Sequence, residues 1–370
     1  ETGETDVNVA IQDALAADIA TQSPALSWLG LLDAQLSAQL TGRIDVGGVV
    51  GPLQAALQIG GGALRPTPQA RPVGFDEMQV ALSYDPAAGQ VGFEDLRVVS
   101  DWGTIEGDGQ AYMREITEGW PGALLGQFNL HRIALDPAGL YDEPVTLSEA
   151  SAEFRLRLDP FAVDIGVISV TDTDTEGQQS RLEASGRIGA SDEGWEVALD
   201  AGLDRMSMTR LMVLWPRSFR PGMRQWLETN IPRATLLGTS AGLRFGPQHD
   251  GRVWALNLRF EDTVATVLQS LPSLQGVSGM LAIQDNSLTV SLDTGRIPAP
   301  LGGMADLTGS TFIVPDITVD RAPSIVHLKT QSTITAVLSL LDLPPFSFLT
   351  RAGRPVTLAQ GWAEGEGDIR

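Results

Sequence analysis

Cysteine is absent from the 370 residues. Disulfides, zinc–thiolate sites, iron–sulfur clusters and thiol nucleophiles are therefore excluded, although the absence does not fix a compartment. Histidine is nearly absent as well: His131, His249 and His327 are scattered, and no two share metal-ligand spacing. Positive charge is scarce, with 25 Lys plus Arg against 46 Asp plus Glu and a formal net charge of −21. Such a chain repels nucleic-acid phosphates and anionic membrane surfaces over most of its face, so nucleic acid is not expected as a partner and any headgroup contact must be local. Long apolar runs are missing too. No stretch reaches the roughly 18 apolar residues of a spanning helix. The best candidate, Ile334 to Leu349, is broken by Asp342 and by Pro344-Pro345. No signal peptide opens the chain; Glu1-Thr2-Gly3 reads as an expression remnant, and the whole reads as a fragment of something longer. The last residues, "GWAEGEGDIR", stop inside a strand-like pattern.

What the sequence does contain is alternation. Hydrophobic residues make up 43% of it, enough for a large core. They recur with period two: Ala152, Phe154, Leu156 and Leu158 alternate with charged residues, and Trp195, Val197, Leu199 and Ala201 share a face. Trp254, Leu256, Leu258 and Phe260 do the same, as do Leu288, Val290 and Leu292, Val326 and Leu328, and Val80, Leu82 and Tyr84. Each run is a strand with one apolar and one wet face, which implies antiparallel sheet. The 40 glycines and 22 prolines fit many short strands joined by turns. Glycines such as those in "LTGRIDV", "EASGRIG" and "GVSGMLAI" sit at or just before strand starts, where they favour bends that curl a sheet.

Helical pattern is confined to short runs. Ser23-Pro24 opens "SPALSWLGLLDAQL" with an N-cap serine and a first-turn proline. "STITAVLSLLDL", from Ser332, reads similarly, and both contain Leu-Leu-Asp, at 31–33 and 340–342. This suggests a weak internal repeat. "MSMTRLMVLWP" is a third run, leading into "LWPRSFRPGMRQWLETNIPRATLLG". There a helix from about Pro221 to Asn230 would dock Met223, Trp226 and Leu227 on the sheet, with Arg224 and Glu228 paired on its exposed side. Arg217, Arg220 and Arg224 are candidates for a rim that holds an anionic headgroup.

Three motifs tempt and are declined. "DTDTEGQQSRLE" has calcium-loop spacing, with Asp172, Asp174, Glu176, Gly177 and Glu183 at the key positions. Its flanks read as strands, so a solvated acidic hairpin is expected instead. "GTSAG", Gly238 to Gly242, spells a serine-hydrolase elbow, but no helix follows Ser240 and nothing places His249 or His327 as a base. "GVVGPLQAALQIGGG" lacks the Lys and Ser/Thr of a phosphate loop. No catalytic residue, metal site or cofactor is assigned.

"LWPRSFRPGMRQWLETNI" followed by amphipathic strands and by "SLPSLQGVSGMLAIQDNSLTVSLDTGRI" resembles the AsmA-like family of bacterial envelope proteins, in particular the central region of its YhdP branch. Pro272, Leu274, Gly276, Val277 and Gly279 match its recurring turn; Pro232-Arg233-Ala234 departs from the glycine usual after Asn-Ile. The likeness covers residues 205–370 most clearly and residues 4–204 more loosely. It implies a mainly β, elongated, curled antiparallel sheet forming an apolar groove, with a few short amphipathic helices. The implied function is non-catalytic transport or bridging of phospholipid between inner and outer membranes in the periplasm, with an inner-membrane anchor in full-length relatives and membranes as partners at its ends. The acyl-contacting candidates are Phe154, Leu156, Leu158, Trp195, Val197, Leu199, Trp254, Leu256, Leu258 and Phe260. The rival class is a periplasmic scaffold that assembles outer-membrane or cell-wall proteins by edge pairing; a polysaccharide-active enzyme is a distant third.

Overall fold

A computed structural model describes residues 5–45, 50–136, 141, 144–147, 149–174, 177–218, 220–247, 253–319 and 322–369, with the side chain of Val50 left aside. Glu176, His249 and the segment Glu1-Thr2-Gly3 lie outside the described residues. The protein is mainly β, and twenty of its strands belong to one antiparallel sheet. It divides into two compact units, residues 1–201 with 243–253, and residues 202–242 with 254–370. Strands on either side of the helical segment are shared between the units.

The first unit begins with β1 (Thr5–Leu15), α1 (Ala16–Ala20), a 3-10 helix (Pro24–Leu31) and β2 (Leu32–Asp33). There follow β3 (Gln35–Ile44), β4 (Val50–Ile59), β5 (Gly62–Leu64), β6 (Val73–Phe75), β7 (Glu77–Asp85), β8 (Gln90–Ser100), β9 (Gly103–Thr117) and β10 (Trp120–Leu135). It continues with β11 (Val145–Leu147), β12 (Glu149–Arg157), β13 (Ala162–Thr173), β14 (Gln179–Ser191) and β15 (Gly194–Ser207), whose last residues enter the second unit. The large strands form an antiparallel meander, β1-β3-β4-β7-β8-β9-β10-β12-β13-β14. The short β2, β5 and β6 make a separate three-stranded sheet.

The apolar face of this meander is filled by the chain itself. One buried cluster gathers α1, Leu29 of the 3-10 helix, Leu36, Leu57, Ile59, Val80, Leu82, Val91 and Leu124, with Trp28 packed on it. Rings run across the strands: Trp28 to Phe93 at 6.0 Å, Phe93 to Phe128 at 5.1 Å and Phe128 to Phe154 at 5.6 Å. Such pairs add to their area burial. A second cluster joins Leu31 and Ala70 to Phe161 and Ala190, with Leu158 and Trp195 against them.

That second cluster requires curvature. The indole N–H of Trp195 in β15 donates to the carbonyl of Arg71 at 2.9 Å. Arg71 lies six residues before β7, a reach of at most about 21 Å. In a flat sheet, β7 and β15 would stand seven spacings apart, roughly 34 Å. The sheet of the first unit therefore curls around its own plug.

The curl has a local cause. Pairing slips between Ile11 and Ala14, and between Phe93 and Leu96. Asp13 and Asp95 occupy those slips with φ of 50° and 49°. Aspartate tolerates the left-handed region better than most residues, and bulges sharpen strand twist. In the second unit Asp262, φ 50°, sits in the slip between Phe260 and Thr263.

The second unit holds α2 (Met208–Leu214), α3 (Pro221–Asn230), β16 (Arg233–Phe245), β17 (Val253–Ala265), β18 (Leu274–Gln284) and β19 (Ser287–Pro298). It ends with β20 (Met304–Asp306), β21 (Thr311–Val314), β22 (Ile325–Thr333), α4 (Ile334–Leu341), α5 (Phe348–Arg351) and β23 (Trp362–Ile369). Ser207 and Thr333 cap α2 and α4 by accepting from the amides of Arg210 and Ala336. The six strands read from alternation are all present. The two Leu-Leu-Asp runs differ: Leu32-Asp33 is strand, whereas Leu340 and Leu341 end α4.

Gly109, between Phe93 and Phe128 in neighbouring strands, has no room for a side chain: an added Cβ would stand 2.6 Å from the Gln127 carbonyl oxygen and 2.6 Å from the Phe128 ring. Gly109→Ala is expected to destabilise the fold by about 1–3 kcal/mol through overpacking. Urea denaturation followed by tryptophan fluorescence measures it.

Candidate functional site

The strand pairings of the second unit place apolar residues in continuous rows. Leu258 of β17 faces Leu281 of β18, which faces Val290 of β19, then Phe312 of β21, Val326 of β22 and Ile369 of β23. One step along the strands, Leu256, Ile283, Leu288 and Val314 form a second row. Phe260, Gly279 and Leu292 begin a third. Gly279 is again a clearance residue, since a Cβ there would meet Ser291 O at 2.0 Å.

The opposite face is wet. Arg259 pairs with Asp293 at 3.5 Å, Lys329 with Glu366 at 3.8 Å, and His327 with Asp368. These are exposed pairs, worth little for stability. They mark which side meets water.

Cover on the apolar face is uneven. A buried cluster of Leu274, Val277, Ile297 and Ala305 sits at one end of the rows, with Phe260, Leu292 and Leu340 of α4 packed on it. The middle row, Leu258 to Val326, is half-buried, and none of its members belongs to a cluster of buried side chains among the described residues. The result is an apolar floor with an α-helical stop at one end.

The ten acyl-contact candidates divide along the same line. All ten are half-buried. In the first unit Phe154 stacks on Phe128, Leu156 touches both clusters, and Leu158 and Trp195 close over the plug formed by Leu31, Ala70 and Phe161. Their apolar contacts are thus with the chain's own residues. Val197 and Leu199 lie further along β15, outside the buried clusters. Trp254, Leu256 and Leu258 belong to the floor of the second unit, with Phe260 at its covered end. Period-two reading could not separate these groups, because a filled and an unfilled apolar face alternate alike. It also missed Leu281 and Phe312 as floor residues, which become visible only once register is known, and it placed Val290 and Val326 on apolar faces without joining them to that floor.

The arginine segment folds as the helix expected, Pro221–Asn230, but docks differently. Met223 and Trp226 are 39% and 48% exposed, which overturns their assignment as the docked face. The inward side carries Leu227, half-buried, together with Arg224 and Asn230. Arg224 donates to the carbonyls of Met212 at 3.0 Å and Trp215 at 3.3 Å and pairs with Glu228, so its fork clamps α3 to α2. Asn230 is buried: its carboxamide N–H donates to Trp226 O at 2.8 Å, and its backbone oxygen accepts from the Thr266 amide at 2.8 Å. Helix-wheel logic ranks an arginine outside and a tryptophan inside; here hydrogen-bonding demand of two helix-end carbonyls prevails over side-chain polarity. Arg217 and Arg220 are exposed, and Arg220 precedes α3 with φ 46°.

The described residues of the declined motifs lie on strands or at their ends. Asp172 pairs in register with Ser180 across the β13–β14 hairpin, but both are buried, so that end of the hairpin is not solvated as expected. Among the described residues no group of three or more His, Asp or Glu is arranged to hold a metal. Gly238 to Gly242 lies within β16, with no helix after Ser240. A surface depression of about 430 Å³ on the wet face of β9, β10 and β12 contains Asp108 and Glu153. Asp108 is engaged by His131, and Gln110 and Gln127 belong to a hydrogen-bonded ladder with Gln90, at 2.7 and 3.2 Å. Its amides are spent on holding strands together. Comparison with protein-family models, curated proteins and solved structures finds no match.

Arg224→Ala should cost about 1–3 kcal/mol, because two carbonyls lose a charged donor. Arg220→Gln should stay within about 0.5 kcal/mol. Paired urea titrations distinguish them. A pH effect is expected beside α5. The backbone N–H and then the hydroxyl of Thr350, each 2.7 Å from Asp342, hold its carboxyl below the usual aspartate range. A lowered pKa means that the hold is complete above the ordinary aspartate value and is lost as pH falls through the lowered one. The Thr350 amide proton resonance should move upfield over that window, and Asp342→Asn should show the upfield position at neutral pH.

Proposed function

We propose that the chain holds phospholipid acyl chains on the apolar floor of the second unit and passes lipid along it without catalysis, as part of a bridge between the inner and outer membranes of a bacterial envelope. The observation carrying this reading is the registered floor itself: apolar rows cross strand after strand, and the row from Leu258 through Leu281, Val290 and Phe312 to Val326 is half-buried and lies outside the buried clusters among the described residues. An antiparallel sheet with one wet face needs something apolar on the other. In the first unit the chain supplies it. In the second, a lipid tail supplies it at about 0.8 kcal/mol per buried CH₂.

Such a floor offers no directional polar contact along its length. Affinity then depends on the number of methylenes covered and hardly on position. Selectivity among tails is low, and displacement by one strand spacing costs little. A carrier of this kind needs no cofactor.

The test is an organic extract of protein made in lipid-containing cells, analysed by mass spectrometry. Phospholipid is expected in the wild type. Leu258→Asn, Val290→Asn and Phe312→Asn together should lower its occupancy at least about fivefold, since each places a polar amide where a tail would lie. Thr289→Asn with Ser291→Asn, on the wet face, should leave it unchanged. A clean wild-type extract sinks the proposal and favours the periplasmic scaffold instead.

A further inference from the structure

The connections between strands of the second unit are unequal at their two ends. Strands β17, β18 and β19 alternate in direction, β20 and β21 both run antiparallel to β19 and to β22, and β23 runs antiparallel to β22, so the ends can be followed by pairing. The Asn230 carbonyl meets Thr266, placing α3 beside the β17–β18 connection. Pro298 pairs with Met304, and Thr333 with Trp362. The α2–α3 segment, the β17–β18 and β19–β20 loops and the α4–α5 segment therefore share one edge. The tight β18–β19 turn at Asp285-Asn286 lies on the other.

The helical edge exposes large apolar side chains. Trp226 is 48% exposed, Val267 58%, Leu268 42%, Phe348 54% and Trp362 69%. It is also basic. Residues 208–232 carry four arginines and one acid, and residues 334–361 carry two arginines and one acid, a net of +4 from six positive and two negative charges, in a chain of −21. The other edge presents Asp285 and Asp316. Exposed tryptophan beside arginine suits the boundary between headgroups and tails: the indole ring straddles it and the guanidinium reaches the phosphates.

We infer that this helical edge docks the second unit side-on to an anionic phospholipid bilayer. Charge decides the occupant. A generally acidic molecule is repelled by an anionic membrane except where it concentrates positive charge, and the exposed aromatics coincide with that concentration. A neutral apolar partner would gain nothing from the arginines. The inference does not rest on what fills the apolar floor.

Co-sedimentation with vesicles of phosphatidylcholine, with and without phosphatidylglycerol, tests it. Wild type is expected on the phosphatidylglycerol vesicles, weakening as salt is raised. Arg217→Gln with Arg220→Gln should reduce partitioning roughly thirtyfold, from about 1 kcal/mol per arginine. Trp226→Ser, Phe348→Ser and Trp362→Ser should also release the protein, with circular dichroism confirming the fold. No wild-type binding to the anionic vesicles, equal binding to neutral ones, or full binding by either variant overturns the inference. Lipid in the organic extract and docking on vesicles are separate readouts, so failure of one leaves the other standing.

Discussion

Register is the constraint on which the molecule depends. Side chains alternate across a strand, so a slip of one residue exchanges the wet face for the apolar one. In the second unit such a slip between β17 and β18 would put Arg259 and Asn257 on the floor and Leu258 in water. The ion pairs and amide ladders of the wet face contribute little energy, but they are satisfied in only one register. Arg259 with Asp293, Lys329 with Glu366, and Gln90 with Gln110 and Gln127 thus act as alignment marks. The apolar rows provide the driving force, and the polar ones select which alignment receives it.

The two units solve the same burial problem differently. In the first, α1, the 3-10 helix and the segment around Ala70 lie against the sheet and convert its apolar face into core. The glycine opposite the phenylalanine rings lets those rings approach, and the bulge aspartates bend the sheet around the plug. In the second, the helices lie at one edge. Leu340 of α4 packs on the buried cluster there, while α3 is fastened by Arg224 and Asn230 and leaves Trp226 outward. Among the described residues, the first unit thus gathers the larger buried clusters.

Much of the fold is legible in the sequence, because period two and glycine-led turns are local signals. The antiparallel class, the strands at Phe154, Trp195, Trp254 and Val290, and the bounds of α3 all come from such signals, whereas Ser23, read as an N-cap, makes no side-chain capping bond and the caps fall on Ser207 and Thr333. What was not legible is what depends on partners distant in sequence. Whether Leu158 meets lipid or Ala70 is a matter of long-range packing. The inward turn of Arg224 depends on carbonyls 9 and 12 residues away. The bulges did leave a trace: Ile11-Gln12-Asp13, Phe93-Glu94-Asp95 and Phe260-Glu261-Asp262 share an apolar residue, an acid or its amide, and an aspartate with positive φ. Two polar residues in succession break strict alternation at those three places, and that break is the signal.

The meander also has a consequence for how such a molecule changes over time. Each long strand is held mainly by the strands beside it, as in repeat proteins, where stability is close to a sum of nearest-neighbour terms. Loss or gain of one strand would reverse the direction of every strand after it and carry the helical connections to the other edge. Loss or gain of a hairpin would not. The β18–β19 pair, closed by the two-residue turn Asp285-Asn286, is a unit of that kind. Length is therefore expected to vary among descendants of such a chain in even numbers of strands, with the basic edge kept on its side.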